Sequence, residues 1–118
     1  MRKEIENRLV ALSVGINNLV SALPKNPLTN NLTDQMIRSS TSAALNYGEV
    51  QSAESRKDFI HKNSIVLKEL RETHIGMKIL HDSGSVKDEK EINGLLAECD
   101  HLTAIFQKTV TTSKSKKQ

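Results

Sequence analysis

Residues 5–23, Ile5-Glu6-Asn7-Arg8-Leu9-Val10-Ala11-Leu12-Ser13-Val14-Gly15-Ile16-Asn17-Asn18-Leu19-Val20-Ser21-Ala22-Leu23, repeat an aliphatic side chain at 5, 9, 12, 16, 19 and 23. Alternating steps of four and three return to the same side of a helix every turn, because 3.6 residues complete one turn. The result is one apolar seam of the coiled-coil type, with Asn, Ser, Arg and Glu on the other faces. Pro24 ends the helix, and Pro24-Lys25-Asn26-Pro27 reads as a loop.

The same logic extends outward along the chain. Asn26 before Pro27 is an N-cap followed by proline in the first turn. It predicts a second helix from about Leu28 to Ser52. Leu28, Leu32, Met36, Ala43, Tyr47 and Val50 gather on one side of it. A second row, Ile37, Thr41, Ala44 and Gly48, is mostly small and predicts a close approach by a neighbouring helix. Ser55-Arg56-Lys57-Asp58 resembles a capping box with Asp in place of Glu. It opens a third helix whose stripe is Phe59, Asn63, Val66, Leu70, Thr73, Met77 and Leu80, with Gly84 as the stop. Ser85-Val86-Lys87-Asp88 repeats the start signal. The fourth helix then turns Ile92, Leu95, Leu96, Cys99, Leu102, Phe106 and Val110 inward and ends near Thr111. Four amphipathic helices with short connectors make neighbours antiparallel. The expected fold is all-α, an up-and-down antiparallel four-helix bundle. Residues 1–112 form that bundle, and 113–118 read as a disordered basic tail.

Composition narrows the function classes. Among 118 residues, aromatics are 3% and Trp is absent, so the core is aliphatic. No apolar run approaches the roughly 20 residues of a membrane span, and the charged N-terminus does not resemble a signal peptide. A single cysteine, Cys99, has no partner within the chain, which suits a reducing cytoplasm. The net charge of +3 resides in Lys114, Lys116 and Lys117; without them basic and acidic residues number 14 each. Bulk charge therefore gives no warrant for nucleic-acid binding. Arg56, Lys57, Lys62 and the three tail lysines are the cations that could touch a phosphate backbone. No recognition-helix motif or stacking platform accompanies them.

Four-helix bundles can hold di-iron centres built on paired Glu-x-x-His motifs. Here Glu98 with His101 is the one match, and at about 100° per residue both point away from the Ile92 stripe. Cys99 and His101, two residues apart, diverge by about 200° and cannot act as a nucleophile–base pair. Neither metal, cofactor nor catalytic group is expected. One pattern exceeds what a bundle needs. Ile65, Ile75 and Ile79 lie at about 240°, 160° and 200° from Phe59, opposite the core stripe. Val10 and Val14 lie behind the first seam. Outward β-branched residues on two helices predict a further packed surface, a contact between copies of the chain.

The run Arg38-Ser39-Ser40-Thr41-Ser42-Ala43-Ala44-Leu45-Asn46-Tyr47-Gly48-Glu49, with Ser55-Arg56-Lys57-Asp58-Phe59-Ile60 and Leu67-Lys68-Glu69-Leu70-Arg71-Glu72-Thr73, resembles a known family. It is similar to the bacterial four-helix-bundle proteins encoded in intervening sequences of 23S ribosomal RNA genes, the S23 proteins. The likeness runs through the second and third helices. Arg38, Ser39, Ser42, Asn46, Tyr47 and Glu49 match the family signature, read as structural. The family usually has Ala where Gly48 stands. The resemblance implies homo-oligomers, typically pentamers, without enzymatic activity. It also implies kinship with the accessory variability protein of diversity-generating retroelements, a basic pentamer that binds a reverse transcriptase and nucleic acid. The expected function is a non-enzymatic homo-oligomeric scaffold or interaction protein. The alternative is an accessory factor for nucleic acid or reverse transcriptase. Asn46, on the margin of the second helix's apolar face, is expected to hydrogen-bond another helix.

Overall fold

Each expected helix forms, and local hydrogen bonds explain where each one ends. The computed structural model describes residues 2–115: α1 Arg2–Ser21, α2 Pro27–Val50, α3 Arg56–Asp82 and α4 Glu89–Ser115. After Ser21 the α1 ladder tightens, with Ala22 N donating to Leu19 O and Leu23 N to Val20 O, before Pro24 stops it. Asn26 caps α2 by accepting from Thr29 N at 3.0 Å, while Asn26 N donates to Thr29 Oγ1 at 3.1 Å. Ser55 Oγ accepts from Asp58 N at 3.0 Å and starts α3. Gly84 sits at φ 74° just past the Ser83 cap, a left-handed position that glycine adopts without a Cβ penalty.

Two ends depart from the sequence reading. The N-cap of α4 is Asp88, whose Oδ1 accepts from Glu91 N at 3.1 Å, and not Ser85. Ser85 instead meets Ser83 Oγ at 2.7 Å, within the turn that closes α3. At the other end α4 runs through 113–115, three residues into the segment assigned to a tail. Ser115 Oγ donates to Thr112 O there, and Arg56 reaches Ser113 O. Residues 116–118, with Lys116 and Lys117, lie outside the described residues.

The helices pack in the order expected of an up-and-down bundle. α1 touches α2 and α4, α3 touches α2 and α4, and the pairs α1/α3 and α2/α4 are diagonal. The first seam is the core of α1: Ile5, Leu9, Leu12, Ile16 and Leu19 are all 5% exposed or less. Val66, Leu70, Met77 and Leu80 of α3 and Ile92, Cys99, Leu102 and Phe106 of α4 meet it. Burying each such side chain stabilises by about 1.5–3 kcal/mol relative to exposure. Leu28 does not join them; it is exposed at the first turn of α2.

The close approach lies on a different face of α2 from the one expected. Ala44 is half-buried and Gly48 exposed, with nothing near a Cβ at Gly48. The tight contact is with α3, through buried Met36 and Ser39. Thr73 Oγ1 has a backbone acceptor in Glu69 O at 2.9 Å. Ser39 Oγ lies 2.6 Å from Thr73 Oγ1 across the helices, and its own backbone acceptor is Met36 O, so either hydroxyl can donate in this bond. Three residues further on, a Cβ at Gly76 would stand 2.8 Å from Met36 Cγ. Glycine is what lets the thioether fit. By contrast α1 and α4 share the slimmest contact of the four seams.

Candidate functional site

Chemistry-bearing side chains are mostly committed to structure. Glu98 does not simply face solvent: Arg8 Nε and Nη2 donate to its two carboxylate oxygens at 2.8 Å each, bridging α1 to α4. The hydrogen bond from Arg8 holds the Glu98 carboxyl below its usual range and raises the guanidinium, both partners being about one-third exposed. His101 beside it is exposed. Cys99 is fully buried and burial pushes its thiol up to about 12, far from a thiolate at neutral pH. Among the described residues, no group of three or more His, Cys, Asp or Glu side chains could hold a metal ion. His81 stands between Asp82 and Glu89, and the Asp82 bond raises its pKa. This suits a cation at the C-terminal end of α3.

The signature residues of α2 do not share one face. Ser39 is buried in the contact with Thr73, Ser42 and Asn46 are half-buried, and Arg38 and Glu49 are exposed. Asn46 finds its partner in its own helix and not in a neighbour. Its Nδ2 donates to Ser42 O at 2.8 Å and Ser42 Oγ at 3.0 Å. The residue four positions back is within reach of a short amide, whereas the margin of the face leaves no partner across the gap. Tyr47 reaches across the diagonal to Phe106, ring centroids 5.4 Å apart at 88°. Such edge-to-face contacts add about 0.5–1.5 kcal/mol beyond burial.

Of the five aliphatics expected to face outward, four are exposed and Ile65 is not. Val10, Val14, Ile75 and Ile79 are 49%, 55%, 54% and 43% exposed, while Ile65 is half-buried. Ile75 and Ile79 do not stand alone. They edge a groove of about 350 Å³ between α2 and α3 whose apolar floor is Leu32, Met36 and Gly76. The valines belong to diagonally opposite α1, so one subunit does not bring the two patches together. Leu45 and Ile105 are also exposed and were not singled out by spacing.

The candidate cations divide. Lys62 is taken by Asp58 at 2.7 Å, a bond that lowers the Asp58 carboxyl and raises the amine. Arg56, Lys57 and Lys114 are exposed, and the Arg56 contact to Ser113 O brings the start of α3 to the end of α4. No helix among the described residues is long and apolar enough to cross a membrane.

These features define an all-helical bundle with apolar outer faces and no assembled catalytic group among the described residues. The family model of the 23S rRNA-intervening sequence protein matches residues 3–108, and the chain belongs to that family. A crystal structure from Bacteroides thetaiotaomicron VPI-5482 is similar, described as a protein with unknown function from the S23 ribosomal protein family. It superposes with a TM-score of 0.76 at 23% identity, covering 90% of this chain and 97% of that one, which supports the fold. No curated protein matches the chain.

Proposed function

We propose that this chain is a non-catalytic homo-oligomeric interaction module whose subunits join head to tail, the α3 face of one meeting the α1 face of the next. The carrying observation is the pair of exposed aliphatic patches on diagonal helices, Val10 with Val14 and Ile75 with Ile79. Two different patches on opposite sides make a heterologous contact, which closes into a ring when the rotation allows. This fits the pentameric assembly implied by the family likeness. The groove beside Ile75 and Ile79, floored by Leu32, Met36 and Gly76, offers the apolar valines of the next subunit an apolar surface. Burying these four side chains contributes several kcal/mol before association costs. The commitment of Glu98 to Arg8 and the burial of Cys99 support a role without catalysis.

Light scattering coupled to gel filtration tests this reading. The wild-type chain runs at a multiple of its own mass, and Ile75→Glu with Ile79→Glu yields folded, helical monomers. A wild-type monomer, or a double variant that keeps the wild-type mass, contradicts it. The second reading is an accessory role on nucleic acid or reverse transcriptase, supported by Arg56, Lys57 and Lys114 at one end of the bundle. Filter binding of structured RNA and duplex DNA separates the two, because phosphate contacts impose a steep salt dependence. Undetectable or salt-independent affinity removes the nucleic-acid arm of the second reading.

A further inference from the structure

We propose that the cleft between the start of α1 and the end of α4 binds a small, uncharged aromatic molecule carrying an N–H or O–H donor. The slim α1–α4 seam opens here into a trough of about 560 Å³. That lies within the usual range of small-molecule sites. The chain has one Tyr, two Phe and no Trp, and all three aromatic rings, Tyr47, Phe59 and Phe106, line this one cleft. Tyr47 and Phe106 already meet edge to face, and Phe59 is half-buried with ring surface left uncovered. A flat aromatic guest extends that arrangement, since rings prefer offset or edge-to-face neighbours.

A second, independent feature sets the polar requirement. Asn63 lines the cleft and is 2% exposed. Its Nδ2 is spent on Phe59 O at 2.9 Å, which fixes the amide orientation and turns Oδ1 into the free end. Among the described residues, Oδ1 accepts no hydrogen bond, and it is not sealed from solvent. Water can meet that oxygen in the empty cleft, but a guest that displaces the water must bring a donor of its own or leave a buried carbonyl unmet at a cost. Charge at the mouth is balanced. Arg8 is neutralised by Glu98, and Arg2 and Glu4 both border the opening. An uncharged guest therefore fits better than an ion. All four helices line the cleft, and none of Val10, Val14, Ile65, Ile75 and Ile79 does, so it is independent of the self-association faces.

Indole is the probe, since a chain without Trp leaves its emission free of background. Titrating the full chain into indole should blue-shift that emission to saturation at one equivalent per chain. 1-Methylindole, the same ring without the donor, should bind about tenfold more weakly, the worth of one hydrogen bond to a buried acceptor. Asn63→Leu should bring indole down to the affinity of 1-methylindole and leave 1-methylindole unchanged. Equal affinity of the two probes for the wild-type chain would overturn the proposal, as would the absence of any saturable shift.

Discussion

Replacing Gly76 by Ala tests the α2–α3 contact more sharply than any large truncation. Two effects oppose each other. Alanine gains about 1 kcal/mol of helix propensity over glycine inside α3. The new methyl stands 2.8 Å from Met36 Cγ and 3.2 Å from Met36 Sδ, well inside van der Waals contact. These atoms lie mid-chain, so relief requires shifting the whole Met36 side chain, which is 1% exposed and packed in the core. Overpacking of this kind costs about 1–3 kcal/mol. The clash wins, and Gly76→Ala is expected to destabilise by up to about 2 kcal/mol. Gly48→Ala supplies the control, because nothing lies within 4 Å of its Cβ. It should stabilise by about 0.5–1 kcal/mol. Urea unfolding followed by far-ultraviolet circular dichroism, at one protein concentration, reads both against wild type, with unchanged slopes confirming that native compactness is kept. If Gly76→Ala stabilises as much as Gly48→Ala, the tight α2–α3 packing described above is wrong.

Glu98→Gln should cost about 0.5–1 kcal/mol at neutral pH, the scale of a well-aligned but partly exposed pair. Because Arg8 lowers the Glu98 pKa in the folded chain, this contribution is fully present above the ordinary carboxylate range. It is lost as pH falls through the lowered value, so unfolding curves of variant and wild type should converge in acid. Asp88→Ala should cost about 1 kcal/mol through the lost α4 cap, and Ser85→Ala only a few tenths. Equal costs in thermal melts of the two variants would return the start of α4 to Ser85.

What could be read from sequence follows from the range of the interactions concerned. The seam Ile5–Leu9–Leu12–Ile16–Leu19 was legible because spacing alone determines which side of α1 is apolar. Caps at Asn26 and Ser55 were legible because their partners lie three residues away. Buried Ser39 was not, since a serine signals burial only once Thr73, 34 positions on, is known to face it. The Arg8–Glu98 pair spans 90 positions and no pattern announces it. Leu28 misled because periodicity gives the side of a helix and not whether a neighbour covers it, and in the first turn of α2 it is exposed. The outward aliphatics were visible from helical angle. The cleft under Tyr47, Phe59 and Phe106 was not, because it is assembled from all four helices and no single one of them announces it.

Mixing two half-blocked variants tests head-to-tail assembly most directly. One carries Val10→Glu and Val14→Glu and keeps its α3 face; the other carries Ile75→Glu and Ile79→Glu and keeps its α1 face. Each alone should be a monomer by light scattering. Together they retain one compatible contact, and a charged face stops growth at either end. The expected product is a species of twice the chain mass and nothing larger. A mixture that stays monomeric, or either variant holding the wild-type mass by itself, contradicts the pairing of these two faces.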